Sequence, residues 1–309
     1  MSTAFVFPGQ GSQYVGMGRA LAEAFPAARE VFQEADDALG RPLSRLIFEG
    51  PEEDLRLTRN TQPALLTVSV ACLRAMESEG VPGPQAAAGH SLGEYTALVA
   101  AGAMSFADAV RVVEQRGRFM QEAVPVGVGT MAAVLGLDAD AVERLCADES
   151  RPGAVVEVAN DNCPGQVVIS GHVGAVEAVC RRAKEAGARR AVPLAVSAPF
   201  HCSLMRPAGE RLAEVLSAVR FSSPRLPVYA NVDARAYASA DDIPARLVAQ
   251  VSRRVRWQDC VRALLAAGAT RFVEVGPGKV LCGLIRRISR DARVANVEDP
   301  GTLAALAGG

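Results

Sequence analysis

Gly89-His90-Ser91-Leu92-Gly93 sets a serine between two glycines, after a short apolar run at 85–88 and before an amphipathic stretch at 94–101. Strand, sharp turn and helix in that order make a nucleophile elbow: the hydroxyl stands exposed at the strand end, and the helix N-terminal amides favour negative charge beside it. The same pentapeptide occurs at ordinary glycine turns, so its chemical reading depends on this context. A serine needs a base within hydrogen-bond reach, most often histidine. The chain has three, His90, His172 and His201. His90 adjoins the serine on a tight turn where neighbouring side chains diverge, and His172 opens a helix remote in sequence. His201, in Ser197-Ala198-Pro199-Phe200-His201-Cys202, follows a strand expected at 190–196 and precedes a helix expected at 204–216. Strand ends carry catalytic loops in α/β folds; a histidine here could otherwise cap the helix start. No Asp or Glu stands after a strand between Ser91 and His201, Asp161 coming closest. A backbone or amide carbonyl could orient the imidazole instead, which predicts a Ser–His dyad.

A helix at 105–122 can be phased from its residues. Ser105 and Asp108 form a capping box, and Phe106, Ala109, Val110, Val113, Gly117 and Met120 repeat on one side. Arg116 falls with this apolar set. A guanidinium turned into a core keeps its charge and must meet an anion, either a protein carboxylate or an acidic ligand. Beside an activated serine, the second option means an acyl substrate with a free carboxylate gripped by a bidentate fork.

The elements that position these groups read as α/β. A strand at 4–7 stops at Pro8-Gly9 and leads to a helix near 16–24, a polar stretch at 50–60 precedes a helix at 63–79, and the strand at 85–88 points at Gly89. Between 126 and 196 the order becomes strand 130–137, helix 139–148, strands 155–159 and 166–170, helix 173–186 and strand 190–196. This β-α-β-β-α-β order matches a ferredoxin-like unit. The expected division is a large subdomain of 1–125 with 197–309 and a small one of 126–196. Strand 227–230, helices from Pro244 and over 257–266, and strand 271–275 complete the large part.

With 309 residues, half of them hydrophobic, 22% charged and a formal net charge of −1, the chain can bury a large core. No basic run interleaved with aromatics points to nucleic acid, and no uninterrupted apolar stretch is long enough to span a membrane. Seven cysteines at irregular spacing and an N-terminus without a basic leader predict a reduced, cytoplasmic setting. Gly-x-Gly-x-x-Gly is absent near the glycines at 9–18, and no Gly-Lys-Ser/Thr occurs, which sets a nucleotide-binding reading aside.

Together, Phe7-Pro8-Gly9-Gln10-Gly11-Ser12-Gln13, Gly89-His90-Ser91-Leu92-Gly93-Glu94-Tyr95, Gln115-Arg116-Gly117, Pro164-Gly165-Gln166, Pro199-Phe200-His201 and Val275-Gly276-Pro277-Gly278 resemble the malonyl-CoA:acyl carrier protein transacylase family along nearly the whole chain. The resemblance implies an α/β-hydrolase-like core with an inserted ferredoxin-like subdomain, Ser91 as nucleophile, His201 as base and Arg116 as ligand of the malonyl carboxylate. It implies Gln250 as the carbonyl that orients His201, and the backbone amides of Gln10 and Leu92 as the oxyanion hole. Phe200 resembles the bulky residue of malonyl-selective members. The partners implied are malonyl-CoA, as substrate with no cofactor or metal, and an acidic carrier protein, for which Lys184, Arg189, Arg190, Arg286 and Arg287 are candidate contacts with salt-sensitive affinity. A monomer is expected. Loading of polyketide synthase carriers uses the same chemistry, and a serine thioesterase is the rival enzyme class.

Overall fold

Strand β1 (Ser2–Phe7) is buried from Ala4 onward and ends at Pro8, whose ring removes the donor a ladder would need. It is the middle strand of a wholly parallel five-stranded sheet. The computed structural model describes residues 2–196 and 198–308. Ser197, at the expected start of the returning segment, lies outside them, as do Met1 and Gly309.

The other strands are β2 (Ala86–Gly89), β3 (Gly129–Leu135), β4 (Val156–Cys163), β5 (Gln166–His172), β6 (Arg190–Pro193), β7 (Val228–Tyr229), β8 (Ala269–Val275) and β9 (Arg293–Val297). The parallel sheet has the order β7-β2-β1-β8-β9, so the chain leaves β1 toward β2 and returns to its other side with β8. The carboxyl ends at such a switch point form a crevice. Register puts Phe7 opposite Gly89, so the loop after β1 and the turn after β2 emerge side by side. β2 reads Ala-Ala-Ala-Gly and is buried throughout, its small side chains fitting a strand covered on both faces.

A second, antiparallel sheet has the order β4-β5-β3-β6. Its core is a separate cluster that includes Val134, Val142, Val167, Ile169 and Val179, between the sheet and helices Ala139–Glu149 and Val173–Glu185. Helix Thr58–Ser78 is buried on nearly every side within the large core and packs on helix Phe106–Glu122. A Cβ on Gly117 would lie 2.6 Å from the carbonyl oxygen of Thr58, so this helix crossing needs a glycine, and it sets Arg116 beside Gln62.

Several expected boundaries move. The helix expected from residue 63 begins at Thr58 and takes Pro63 inside. The strand expected at 190–196 stops at Pro193, leaving an irregular approach to His201. The strand expected at 155–159 runs from Val156 to Cys163 with two register shifts, its polar residues buried, Asn162 against His90 and the Asp161 N–H on the Val255 carbonyl. At residues 105–108 only half of the capping box forms: Ser105 accepts from the Asp108 amide, while the Asp108 carboxylate takes the Ser105 hydroxyl rather than a backbone N–H. Among the described residues no helix is long and apolar enough to cross a membrane, and all seven cysteines are unpaired.

Candidate active site

The turn after β2 puts the strain on the serine. Ser91 has φ 50°, in the left-handed region, and is followed by helix Gly93–Ala100. The two flanking glycines serve close approach: a Cβ on Gly89 would lie 1.9 Å from the Gly93 carbonyl carbon, and one on Gly93 would lie 2.1 Å from the Phe7 carbonyl oxygen. They let the turn press against its own helix and against the end of β1.

Asn231 clasps the turn from behind. Its side-chain oxygen accepts the Ser91 N–H at 2.7 Å, and its Nδ2 donates to the Gly89 carbonyl at 2.7 Å. Both backbone groups of the bend are thus satisfied without helix or sheet partners.

Ser91 Oγ lies 2.7 Å from His201 Nε2. The imidazole is 5% exposed, and its Nδ1 donates to the backbone carbonyl of Gln250 at 2.9 Å. That bond fixes the tautomer, leaving Nε2 as the acceptor facing the serine. Burial, then the nearby Arg116 charge, pushes the His201 pKa down to about 3, so the ring is neutral at physiological pH. His201 itself sits at φ 59°. The partner of Nδ1 is a neutral carbonyl; Asp161 instead pairs through its backbone with Val255.

Arg116 is 1% exposed and points at the same serine. Nη2 donates to Ser91 Oγ at 3.0 Å and to Gln250 Oε1 at 2.8 Å, and Nη1 donates to Gln62 Oε1 at 2.7 Å. The guanidinium lies 5.5 Å from the Tyr95 ring centroid. Its Nε finds no partner, and among the described residues no carboxylate comes within ion-pair distance. The nearest acid is Glu94, fully buried, which accepts from Gln250 Nε2 at 2.8 Å, from the Asn231 N–H at 2.9 Å and from the Tyr237 hydroxyl. Burial pushes the Glu94 carboxyl up, and these three donors pull it back.

Ser91, His201 and Arg116 line a cavity of about 120 Å³ together with Gln10, Leu92 and Phe200. The backbone N–H groups of Gln10 and Leu92 donate to no other group among the described residues, and Leu92 caps the helix behind the serine. Phe200 is buried against this space. Gln250 is joined to all three residues, by its side chain to Arg116 and the Ser91 carbonyl and by its backbone carbonyl to His201.

The remaining histidines are apart from this chemistry. His90 bonds Asn162 Oδ1 at 2.8 Å and packs on Trp257, and His172 Nδ1 accepts from Val155 N–H at 2.9 Å. The candidate carrier contacts Lys184, Arg189, Arg190, Arg286 and Arg287 are all exposed. Arg287 bonds Gln166 at 2.5 Å and the Pro164 carbonyl at 2.9 Å, while Arg189 lies against Gly136 and Arg190 pairs with Leu135, gathering three of the five around the β4–β5 turn. Sequence reasoning missed Gln62, Asn160, Asn231 and Tyr237. Asn160 and Gln62 line the cavity, and a polar residue placed inside an apolar helix, as Gln62 is, was the available signal.

The acyl transferase domain family matches residues 4–307. The malonyl CoA-acyl carrier protein transacylase of Bacillus subtilis (strain 168) is 51% identical over 300 residues, covering 97% of this chain and 94% of that protein. The protein of that name from Escherichia coli (strain K12) is 50% identical over 302 residues, covering 98% and 97%. Among solved structures, an acyl-carrier-protein S-malonyltransferase from Burkholderia pseudomallei is 49% identical with a TM-score of 0.97, each chain covered in full. A malonyl-transacylase solved in complex with its type II polyketide acyl-carrier protein is 47% identical with a TM-score of 0.97, covering 100% of this chain and 99% of that one. Matched end to end and bearing a serine, a histidine and an unpaired arginine on one cavity, the chain belongs to the malonyl CoA-acyl carrier protein transacylase family of acyltransferases.

Proposed function

We propose that this acyltransferase moves a malonyl group from malonyl-CoA to the phosphopantetheine thiol of an acyl carrier protein through an ester on Ser91. The observation that carries this reading is the Ser91 hydroxyl, held by His201 Nε2 on one side and on the other by an arginine with no protein carboxylate to neutralise it. Ser91 Oγ attacks the thioester carbonyl while His201 Nε2 takes its proton. The tetrahedral oxyanion sits on the Gln10 and Leu92 amides, and collapse expels the coenzyme A thiolate, which receives the proton from His201. The carrier thiol then gives its proton to His201 and attacks the ester carbonyl, and collapse expels the Ser91 oxygen, which takes that proton back from His201, in ping-pong order.

Arg116 supplies the selection for a dicarboxylic acyl group. It has an Nη1 N–H to spare, and the Nη2 N–H on Ser91 Oγ is released as that oxygen becomes an ester. A carboxylate docked there offsets the Arg116 charge and so raises the basicity of His201 when substrate is bound. Phe200 limits the space for an α-methyl branch.

Support for the finer fold reading comes from the strand order β4-β5-β3-β6 with two helices on one face, as a ferredoxin-like unit has, inserted as 126–196 into an α/β-hydrolase-like core of 1–125 and 197–309. One chain supplies every group of the site, as a monomer requires. The exposed arginines about the β4–β5 turn suit an acidic carrier, of fatty acid or polyketide synthesis. The seven unpaired cysteines suit the cytoplasm, and the chemistry needs no cofactor. Purified protein mixed with malonyl-CoA should show a malonyl mass on the Ser91 peptide and stall after one turnover until carrier is added. Absence of that mass refutes the mechanism, and steady thiol release without carrier would make the protein a thioesterase.

A further inference from the structure

A buried guanidinium usually needs a carboxylate against it. Arg116 has none within ion-pair distance among the described residues, yet a fully buried carboxylate lies one amide away. The Gln250 side chain bridges them, with Arg116 Nη2 donating to Gln250 Oε1 at 2.8 Å and Gln250 Nε2 donating to Glu94 Oε2 at 2.8 Å. A carboxylate can only accept, so Glu94 dictates which end of the amide it receives. With Nε2 committed to Glu94 and to the Ser91 carbonyl at 2.9 Å, Oε1 has to face the arginine.

We propose that Glu94 is a positioning residue for acyl-group selection: acting through Gln250, it anchors the Arg116 guanidinium without pairing with it and so keeps the arginine open to the substrate carboxylate. A direct Glu94–Arg116 pair would close the fork, and an incoming malonyl group would have to displace a buried ion pair. With the amide interposed, the negative charge still steadies the cation, and the free N–H groups remain on the cavity side. Glu94 is held for this task by the Asn231 N–H and the Tyr237 hydroxyl, which approach it from the loops after β7. The proposal rests on the reading of Arg116 as the carboxylate ligand.

The test is a double-mutant cycle on Ser91 acylation, followed in single-turnover reactions with malonyl-CoA and acetyl-CoA, using wild type, Glu94→Gln, Arg116→Ala and the double variant. An amide at position 94 no longer forces the Gln250 orientation. The expected result for Glu94→Gln is a fall of about 10- to 100-fold in acylation efficiency with malonyl-CoA, expressed in half-saturation, and under about 3-fold with acetyl-CoA. In the Arg116→Ala background the same change should cost under about 3-fold for either thioester. Gln250→Met cuts the bridge from its other end and also removes the bond to the Ser91 carbonyl, so it should slow acylation by both thioesters, with the malonyl-CoA loss larger by about 10-fold or more. Tyr237→Phe takes a donor from Glu94 but leaves the bridge, and should keep the malonyl-to-acetyl ratio within about 3-fold of wild type. Equal losses on both thioesters, or a Glu94→Gln effect that persists without Arg116, overturns the proposal. So does failure of both Glu94→Gln and Gln250→Met to fold, which would make the bridge structural. If Arg116→Ala alone spares the malonyl preference, the carboxylate-anchor reading has failed, which is a separate result.

Discussion

Lowering the pH from 7 toward 4 should destabilise this protein through His201. Native His201 has its pKa pushed down from 6.5 to about 3, first by burial and then by Arg116, whereas the unfolded chain takes up the proton near 6.5. The sign follows. Above about 6.5 neither state is protonated and the full stability is present; between about 6.5 and 3 only the unfolded state binds the proton, so stability is lost as the pH falls. At about 1.4 kcal/mol per pH unit over that interval, the loss reaches about 5 kcal/mol. Buried His90, also shifted down, contributes in the same direction, and Glu94, shifted up, works against it. A matched pair isolates His201: urea unfolding of wild type and of His201→Gln, from pH 7.5 to 4.5, with the difference in unfolding free energy plotted against pH. That difference should change by about 1.4 kcal/mol per unit below pH 6 in favour of the variant. Parallel curves refute the reasoning, because they would mean that native His201 titrates as it does in the unfolded chain. The same shift predicts that kcat/KM for Ser91 acylation by malonyl-CoA, which follows the free enzyme, shows no acid limb near 6.5 and stays level to about pH 5.

Arg116→Ala should lower acylation efficiency with malonyl-CoA by about 100- to 1,000-fold, the worth of a charge-assisted fork in a buried site, while acetyl-CoA loses little; equal losses in a two-substrate competition would refute the carboxylate role. Phe200→Ser should open the cavity wall and raise the methylmalonyl-to-malonyl rate ratio severalfold, the scale of one methyl group's fit. Unchanged relative rates in the same competition would count against a steric role.

The three side chains that meet at the cavity were legible because each broke a local rule. A serine between glycines at a strand end, a histidine left over after two others were assigned, and an arginine on an apolar stripe are all visible in one dimension. The groups behind them were not. Asn231, Tyr237 and Glu94 are ordinary polar residues until the chain folds back, and their partners lie up to 156 positions away. β4 shows the limit most plainly: the polar run Asn160-Asp161-Asn162 looks like the end of a strand, yet it continues as a bulged strand that meets residue 255.

That meeting ties the two sheets together beside the site. The Val255 N–H donates to the Ala159 carbonyl at 2.8 Å and its carbonyl accepts from the Asp161 N–H at 3.0 Å, so β4 of the antiparallel sheet is stitched to the segment that follows Gln250. Swinging the two sheets apart would tear this seam and pull on the carbonyl that keeps the imidazole aligned. Relative motion of the two sheets at this seam therefore costs two backbone hydrogen bonds and, through Gln250, the aim of the imidazole.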